Sequence, residues 1–335
     1  MRISAKAPCR VDLAGGTIDI WPLYLYHPNA STVNFAIDCY ASCSIETRSD
    51  SRITVRSRDL KAEESFDSLD ALRAAKRYRL PLAACLVRYF APRVGFDLVT
   101  DSQSPAGGGI AGSSTLIIAV SSALNKLTGA GHPPETVREI SQNVEAQIIK
   151  VPTGCQDYYP ALYGGVSALE LTEAGIVRNA LPVDPLELNE RFVLAYTGEP
   201  RNSGINNWDV TKAHIDGDRK VFRNFQQIAR VAHETRRALE KSDWDEVARL
   251  LREEWANRRK NAPGITTPLI DKLVTVTRKA GATGAKACGA GGGGCIVFLL
   301  ERGAKASVSA AIEREGARVL PVQVARRGVQ VKIEK

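Results

Sequence analysis

The sequence predicts an α+β protein of two domains, and three observations carry that expectation. Its 335 residues exceed what one hydrophobic core ordinarily organises. Runs that alternate polar and apolar residues are interleaved with runs spaced for helices, without the strict strand–helix–strand rhythm of a doubly wound sheet. Hydrophobic residues make up 44% and charged residues 24%, a balance that supports buried cores and excludes a disordered chain. We place the domains at 1–170 and 171–335, in close contact near residues 166–190, since no low-complexity linker or repeat intervenes.

Strands are expected at 11–14, 31–46, 51–56 and 95–100, with a helical interruption over 66–90. At SPAGGGIAGSST (104–115) glycines run into Leu116, Ile117, Ile118, Val120, Ala123, Leu124 and Leu127, spaced for a largely buried helix that Ser113, Ser114 or Thr115 would cap. A second helix opens at Pro133-Pro134-Glu135, with Val137, Ile140, Val144 and Ile148 on one face, and stops before Pro152. Strand-like VSALEL and FVLAYTG follow. Residues 219–260 read as helical, broken at Lys241-Ser242-Asp243. The tail returns to strand in GAKACGAGGGGCIVFLL, then a helix over 304–315 and a closing strand GVQVKI.

Lys and Arg total 45 against 37 Asp and Glu, a formal balance of +8, which suits an anionic partner: nucleic acid, a membrane surface or a phosphorylated small molecule. The chain lacks an aromatic-studded RNA-binding motif, zinc spacing and a concentrated basic tract, so we expect no nucleic-acid partner. It has no run of about eighteen apolar residues, so we expect no membrane partner and a cytoplasmic location. The seven cysteines show no CxxC pairing and fit free thiols of a reducing compartment.

Two glycine loops carry the chemistry. In 104–115, glycines let backbone amides face one concavity with a helix beginning behind them, and exposed amides plus the positive helix end bind phosphate oxygens. The hydroxyls of Ser113 and Ser114 suit a phosphate or its Mg²⁺. A turn that merely packs a helix against a sheet fits the same residues. The stretch is not a Walker loop, since no Gly-Lys-Ser/Thr follows, nor a GxGxxG dinucleotide loop. The second loop, 284–294, has six glycines in eleven positions before an apolar strand. Such an entropic cost fits close approach of backbone to a ligand or another loop, or a hairpin turn.

Three motifs in this order, APCRVDLAGG at 7–16, the loop at 105–115 and the loop at 284–295, resemble those of the GHMP kinases, the family of galactokinase, homoserine kinase, mevalonate kinase and phosphomevalonate kinase. The resemblance spans essentially the whole chain. LAGGTID, GCQDYYPALYGG, YTGEPRNSGI and Trp255 followed by Arg258, Arg259 and APGITTPLID are similar to its sugar 1-kinases, those for heptose 7-phosphate and fucose. It implies a two-domain fold with the active site in the cleft between domains, and ATP- and Mg²⁺-dependent phosphorylation of a sugar or sugar phosphate at the anomeric hydroxyl. A mevalonate-type acceptor, or a catalytically silent sugar or ATP sensor on the same fold, stays open as an alternative.

By residue-wise match the resemblance makes Asp157 the catalytic base and Arg10 the cation beside it. It makes Pro105, Gly107, Gly108, Gly109, Ile110, Ala111, Gly112, Ser113 and Ser114 the nucleotide phosphate loop, and Ser113 with Glu145 the Mg²⁺ ligands. Gly16, Thr17, Asp19, Gly154, Arg201, Gly291 and Gly292 would meet the acceptor, with Arg201, Asn202, Arg258 and Arg259 suited to a phosphate already on it, though an ordinary exposed helix face fits Arg258 and Arg259 equally well. The chain departs from the family pattern in three places. Ala111-Gly112 stand for the usual Gly and Ser or Thr, Thr17-Ile18 for Gly-Thr, and Tyr158 for the Gln after Asp157; the last two changes are expected at the acceptor pocket.

Overall fold

The computed structural model describes residues 1–200, 203–261 and 263–334. The expected α+β architecture is present. The first part of the chain forms β1 (Arg2–Ala14), β2 (Ser31–Thr47), β3 (Ile53–Ser57), β4 (Ala62–Phe66), α1 (Leu69–Ala74), α2 (Pro81–Phe90), β5 (Phe96–Ser102), α3 (Gly112–Thr128), α4 (Pro134–Ile149) and α5 (Tyr158–Tyr163). Then come β6 (Val166–Thr172), β7 (Gly175–Ala180), α6 (Pro185–Glu190), β8 (Phe192–Tyr196), α7 (Ser203–Ile215), α8 (Arg219–Glu240) and α9 (Trp244–Arg258). The chain closes with α10 (Pro268–Lys279), β9 (Ala282–Ala287), β10 (Cys295–Leu300), α11 (Lys305–Arg314), β11 (Arg318–Leu320) and β12 (Gln330–Glu334).

Two sheets organise the described residues. In the larger, strands run β12-β1-β2-β5-β3-β4, and the long β2 also pairs through 31–35 with β6, which pairs with β7. All these pairs are antiparallel except β3 with β5. The smaller sheet runs β11-β8-β10-β9, antiparallel throughout. The 170/171 boundary drawn from sequence falls inside β6, and both β7 and β12 extend the first sheet. β1 is also longer than the expected 11–14. Pro8 hides its first half, since it breaks the alternation; the register shifts between Pro8 and Cys9, a bulge where a residue without an N–H is tolerated.

Four layers result. α2, α3 and α4 cover one face of the large sheet, burying Ile117, Val120, Leu124, Val137 and Ile140 against Ile3, Ile45 and Leu98. The other face, with Val11 and Phe35, shares one core with Leu194 and Val297 of the small sheet and Leu250 and Leu251 of α9. α10 and α11 cover the far face of the small sheet. Each such side chain, fully buried, contributes about 1.5–3 kcal/mol, so this shared core holds the two sheets as one body and fixes the gap between them. The break expected at 241–243 is present: Asp243 caps α9 by accepting from the Glu246 amide. All seven cysteines are outside disulfides, and no described helix is long and apolar enough to cross a membrane.

Candidate active site

β1 carries Arg10 and Asp12 two residues apart, on one side of the strand, and both are buried. The Arg10 Nε and Nη2 both donate to Asp157 Oδ1, at 2.8 and 2.6 Å, while Nη1 donates to the Gly109 carbonyl. The Arg10 amide donates to the Ile110 carbonyl at 3.1 Å. One arginine thus ties Asp157 to the glycine loop. Burial works against the Arg10 charge, but Asp157 and then Asp12 outweigh it and hold the guanidinium more firmly protonated than free arginine.

The loop itself is built from left-handed backbone. Gly107 and Gly109 have φ of 62° and 74°, and Ala111 adopts φ 64° without being glycine. Helix α3 therefore starts at Gly112 with Ala111 at its cap position and no side chain capping it. This corrects the expected cap: Ser114 donates to Glu145 Oε2 at 2.8 Å, Thr115 to the Pro8 carbonyl at 3.4 Å, and Ser113 is exposed. The first intrahelical bond is from Thr115 to the Ala111 carbonyl. The amides of Gly112, Ser113 and Ser114 are left with no acceptor inside the helix, an arrangement suited to phosphate oxygens.

Glu145 is 6% exposed, not on a solvent-facing helix surface. Burial pushes its carboxyl up, offset in part by the hydroxyls of Tyr158, Ser114 and Ser113. Tyr158 donates to Glu145 Oε2 at 2.7 Å, which corrects its expected place: it supports Glu145 and does not line the cleft. One carboxylate and one hydroxyl beside free amides fit a hard divalent cation that keeps few protein ligands. No cluster of three metal-ligating side chains occurs among the described residues, so such an ion would complete its shell with phosphate and water oxygens.

The cleft, about 180 Å³, is lined by Arg10, Thr17, Asp19, Ser113, Ser114, Glu145, Gly154, Gln156, Asp157 and Arg258, among others. Asp19 Oδ2 accepts from the Gln156 amide at 2.8 Å, and a Cβ at position 154 would fall 2.1 Å from that oxygen, which explains Gly154. Burial pushes Asp19 up to about 6, with Asp157 adding to the rise and the Gln156 amide opposing it. Gln156 Oε1 is buried with no partner among the described residues. Gly16 stands behind the cleft, where a Cβ would come 2.4 Å from Arg258 Nη1. Gly291 and Gly292 pack against Ile265 and Gly264, while their neighbours Gly289 and Ala290 reach the cleft. Arg201 and Asn202 lie outside the described residues. Arg259 pairs with Asp271 on the surface, away from the cleft.

A buried charge cluster behind the cleft was missed from sequence. Asp12 receives Lys286 Nζ at 2.7 Å, Arg258 Nη1 at 3.4 Å, Arg10 Nη1 at 3.5 Å and the Gly289 amide at 3.0 Å. Glu254 stands 3.5 Å from Lys286 and 3.7 Å from Arg258. Arg258 also donates to the Gly289 carbonyl and to Thr17 Oγ1, the latter at 3.0 Å. Burial opposes the Asp12 charge, yet Lys286, Arg10 and Arg258 outweigh it and hold the carboxyl well below its usual range. The third glycine motif thereby anchors β1 through Lys286 and Gly289. The signal was present, a lysine in a strand flanked by alanines and glycines, but its partners lie 274 and 32 residues away.

Models of the GHMP kinase N-terminal and C-terminal domains match residues 73–165 and 235–318, together more than half of the chain. The chain is 25% identical over 335 residues to the D-glycero-alpha-D-manno-heptose 7-phosphate kinase of Campylobacter jejuni, with 98% of each covered. It is 26% identical over 326 residues to the L-fucokinase/L-fucose-1-P guanylyltransferase of Bacteroides fragilis, covering 88% of this chain and 34% of that protein. Among solved structures, a D-glycero-D-manno-heptose 1-phosphate kinase from Bacteroides thetaiotaomicron superposes with a TM-score of 0.79 at 25% identity, over 99% of this chain and 100% of that one.

Proposed function

The chain belongs to the GHMP kinase family, and on that premise we propose that it transfers the γ-phosphoryl group of ATP to the anomeric hydroxyl of a sugar or sugar phosphate. The observation that carries the reading is the triple engagement of Arg10 with Asp157 and the Gly109 carbonyl. It locks a carboxylate of the acceptor side to the loop whose amides would hold the donor phosphates. Phosphoryl transfer asks a protein chiefly for such positioning and for charge neutralisation.

In this reading the amides of 112–114 bind phosphate oxygens, and Ser113 with Glu145 would hold Mg²⁺. The ion, when bound, would neutralise charge on the transferring group. Asp19 accepts a hydrogen bond from an acceptor hydroxyl and fixes the ring. Asp157, through the carboxylate oxygen that Arg10 leaves uncommitted, takes the proton of the attacking hydroxyl. Arg10 keeps that carboxylate oriented and offsets charge building on the phosphoryl group.

A screen of free and phosphorylated sugars with ATP and Mg²⁺, followed by NMR of the product, tests the assignment. Turnover of mevalonate, phosphomevalonate or homoserine with no sugar accepted overturns it. Asp157→Asn keeps shape but cannot take the proton, so turnover should fall by about 10²–10⁴ with ATP affinity nearly intact. A fall below about tenfold would leave Asp157 a positioning role.

A further inference from the structure

Asp19 and Thr153 line the reaction cleft and also line a second recess of about 570 Å³, so the two hollows adjoin at the carboxylate proposed to hold the acceptor. The recess is lined by one face of α4, and by Trp21 and Tyr24. Trp21 is 67% exposed although it follows Asp19 by two residues and the intervening Ile20 is buried. An indole held open at the lip of a polar recess, anchored next to a hydroxyl-binding carboxylate, has the shape of a stacking wall for the apolar face of a sugar.

The charges in the recess decide what kind of arm it takes. Asp19, Glu135 and Glu139 bring three carboxylates, and Arg138 brings one cation. That cation is committed through all three nitrogens: Nε donates to Glu135 at 3.1 Å, Nη2 to Glu139 at 3.0 Å and Nη1 to Gln142 at 2.6 Å. Gln142 in turn donates to the Thr153 carbonyl at 3.0 Å, so the α4 face is tied to the loop that borders the cleft. A phosphate entering here would meet carboxylates and, among the described lining residues, no uncommitted cation. A hydroxyl can donate to a carboxylate and accept from an amide, and so suits every polar group present.

We propose that this recess is an acceptor subsite for an uncharged, hydroxyl-rich arm, and that the arm placed there carries no terminal phosphate. The acceptor is then a neutral sugar with carbons beyond the reacting ring, or with a second sugar unit. The inference rests on the sugar-kinase reading above and narrows its substrate class.

The test compares kcat/KM for matched pairs, a heptose and its 7-phosphate, a hexose and its 6-phosphate, with the intact protein. The neutral member should be favoured by about tenfold or more in each pair. Trp21→Ala should raise KM for the heptose about tenfold more than for a pentose that leaves the recess empty. Glu139→Lys, at a position 64% exposed and so compatible with folding, should shift the preference at least tenfold toward the phosphorylated member. Preference of the unaltered protein for the phosphorylated sugars, or an unchanged preference in Glu139→Lys, overturns the subsite while leaving the sugar-kinase reading in place. Failure to phosphorylate any sugar, free or esterified, overturns that parent reading and the subsite with it.

Discussion

Asp12 and Asp19 lie seven residues apart on one segment, and both are buried, at 0% and 3% exposure. Their surroundings drive them in opposite directions. Asp12 faces Lys286, Arg10 and Arg258 and is held ionised; Asp19 has a backbone amide on one oxygen and another carboxylate nearby, and is pushed up to about 6. Burial alone therefore says nothing about what a carboxylate does. The cations arriving from β9 and α9 make Asp12 a structural anchor, whereas at Asp19 the charge of Arg10 only partly offsets burial and the neighbouring Asp157.

The largest effect should come from removing the cation that distinguishes the two. Lys286→Met leaves Asp12 and Glu254 short of a partner inside the core, and loss of one member of a buried ion cluster should cost about 3 kcal/mol in urea unfolding. A cost below about 1 kcal/mol would mean that Arg258 and Arg10 alone suffice, and the contrast with Asp19 would weaken.

Next in size is the pH dependence of stability. Asp12, with a lowered folded value, contributes stability above the unfolded value of about 3.9 and loses it as pH falls, so Asp12→Asn should flatten the acid side of the curve. Asp19, with a raised folded value, contributes stability below about 3.9 that is lost as pH rises through about 6. The full amplitude is at most about 3 kcal/mol. Asp19→Asn should remove that decline between about pH 4 and 6. Identical pH profiles for the two variants would break the comparison.

The smallest effect should be at Glu254. Burial raises its carboxyl despite Lys286 and Arg258, and its Oε2 has no partner among the described residues. Glu254→Gln should therefore change stability by less than about 1 kcal/mol, well short of Asp12→Asn. Equal losses would make the cluster a single unit in which every charge counts alike.

What could be read from sequence follows from range. α3, α4, the break between α8 and α9, and the strands β6, β8 and β10 have periodicity or capping inside a short window, and each was legible. The glycine loops and the Arg10, Asp157, Glu145 and Asp19 positions were legible through motif resemblance, and the geometry brings these four into one cleft. Asp12, Glu254 and Lys286 were not, since each sits in a different segment and only the stacking of the two sheets unites them. The parallel pairing of β3 with β5 and the return of β12 to β1 were invisible for the same reason. The expected helix cap failed because Ala111 takes a left-handed conformation that residue type alone argues against.

The glycine loop is not a free flap. The Cys295 amide donates to the Gly108 carbonyl at 2.7 Å, the Tyr196 hydroxyl to the Ala106 carbonyl at 3.2 Å, and a Cβ at Gly294 would come 2.8 Å from the carbonyls of Gly107 and Gly108. The second sheet is thus fastened onto the loop from outside. To swing open, the loop would have to break its carbonyls away from the start of β10, so its opening should follow the slow clock of that sheet and not the fast clock of surface turns. Traffic of small molecules through the cleft then falls to its other walls, and the concavity of the glycine loop stands ready-made before any ligand arrives.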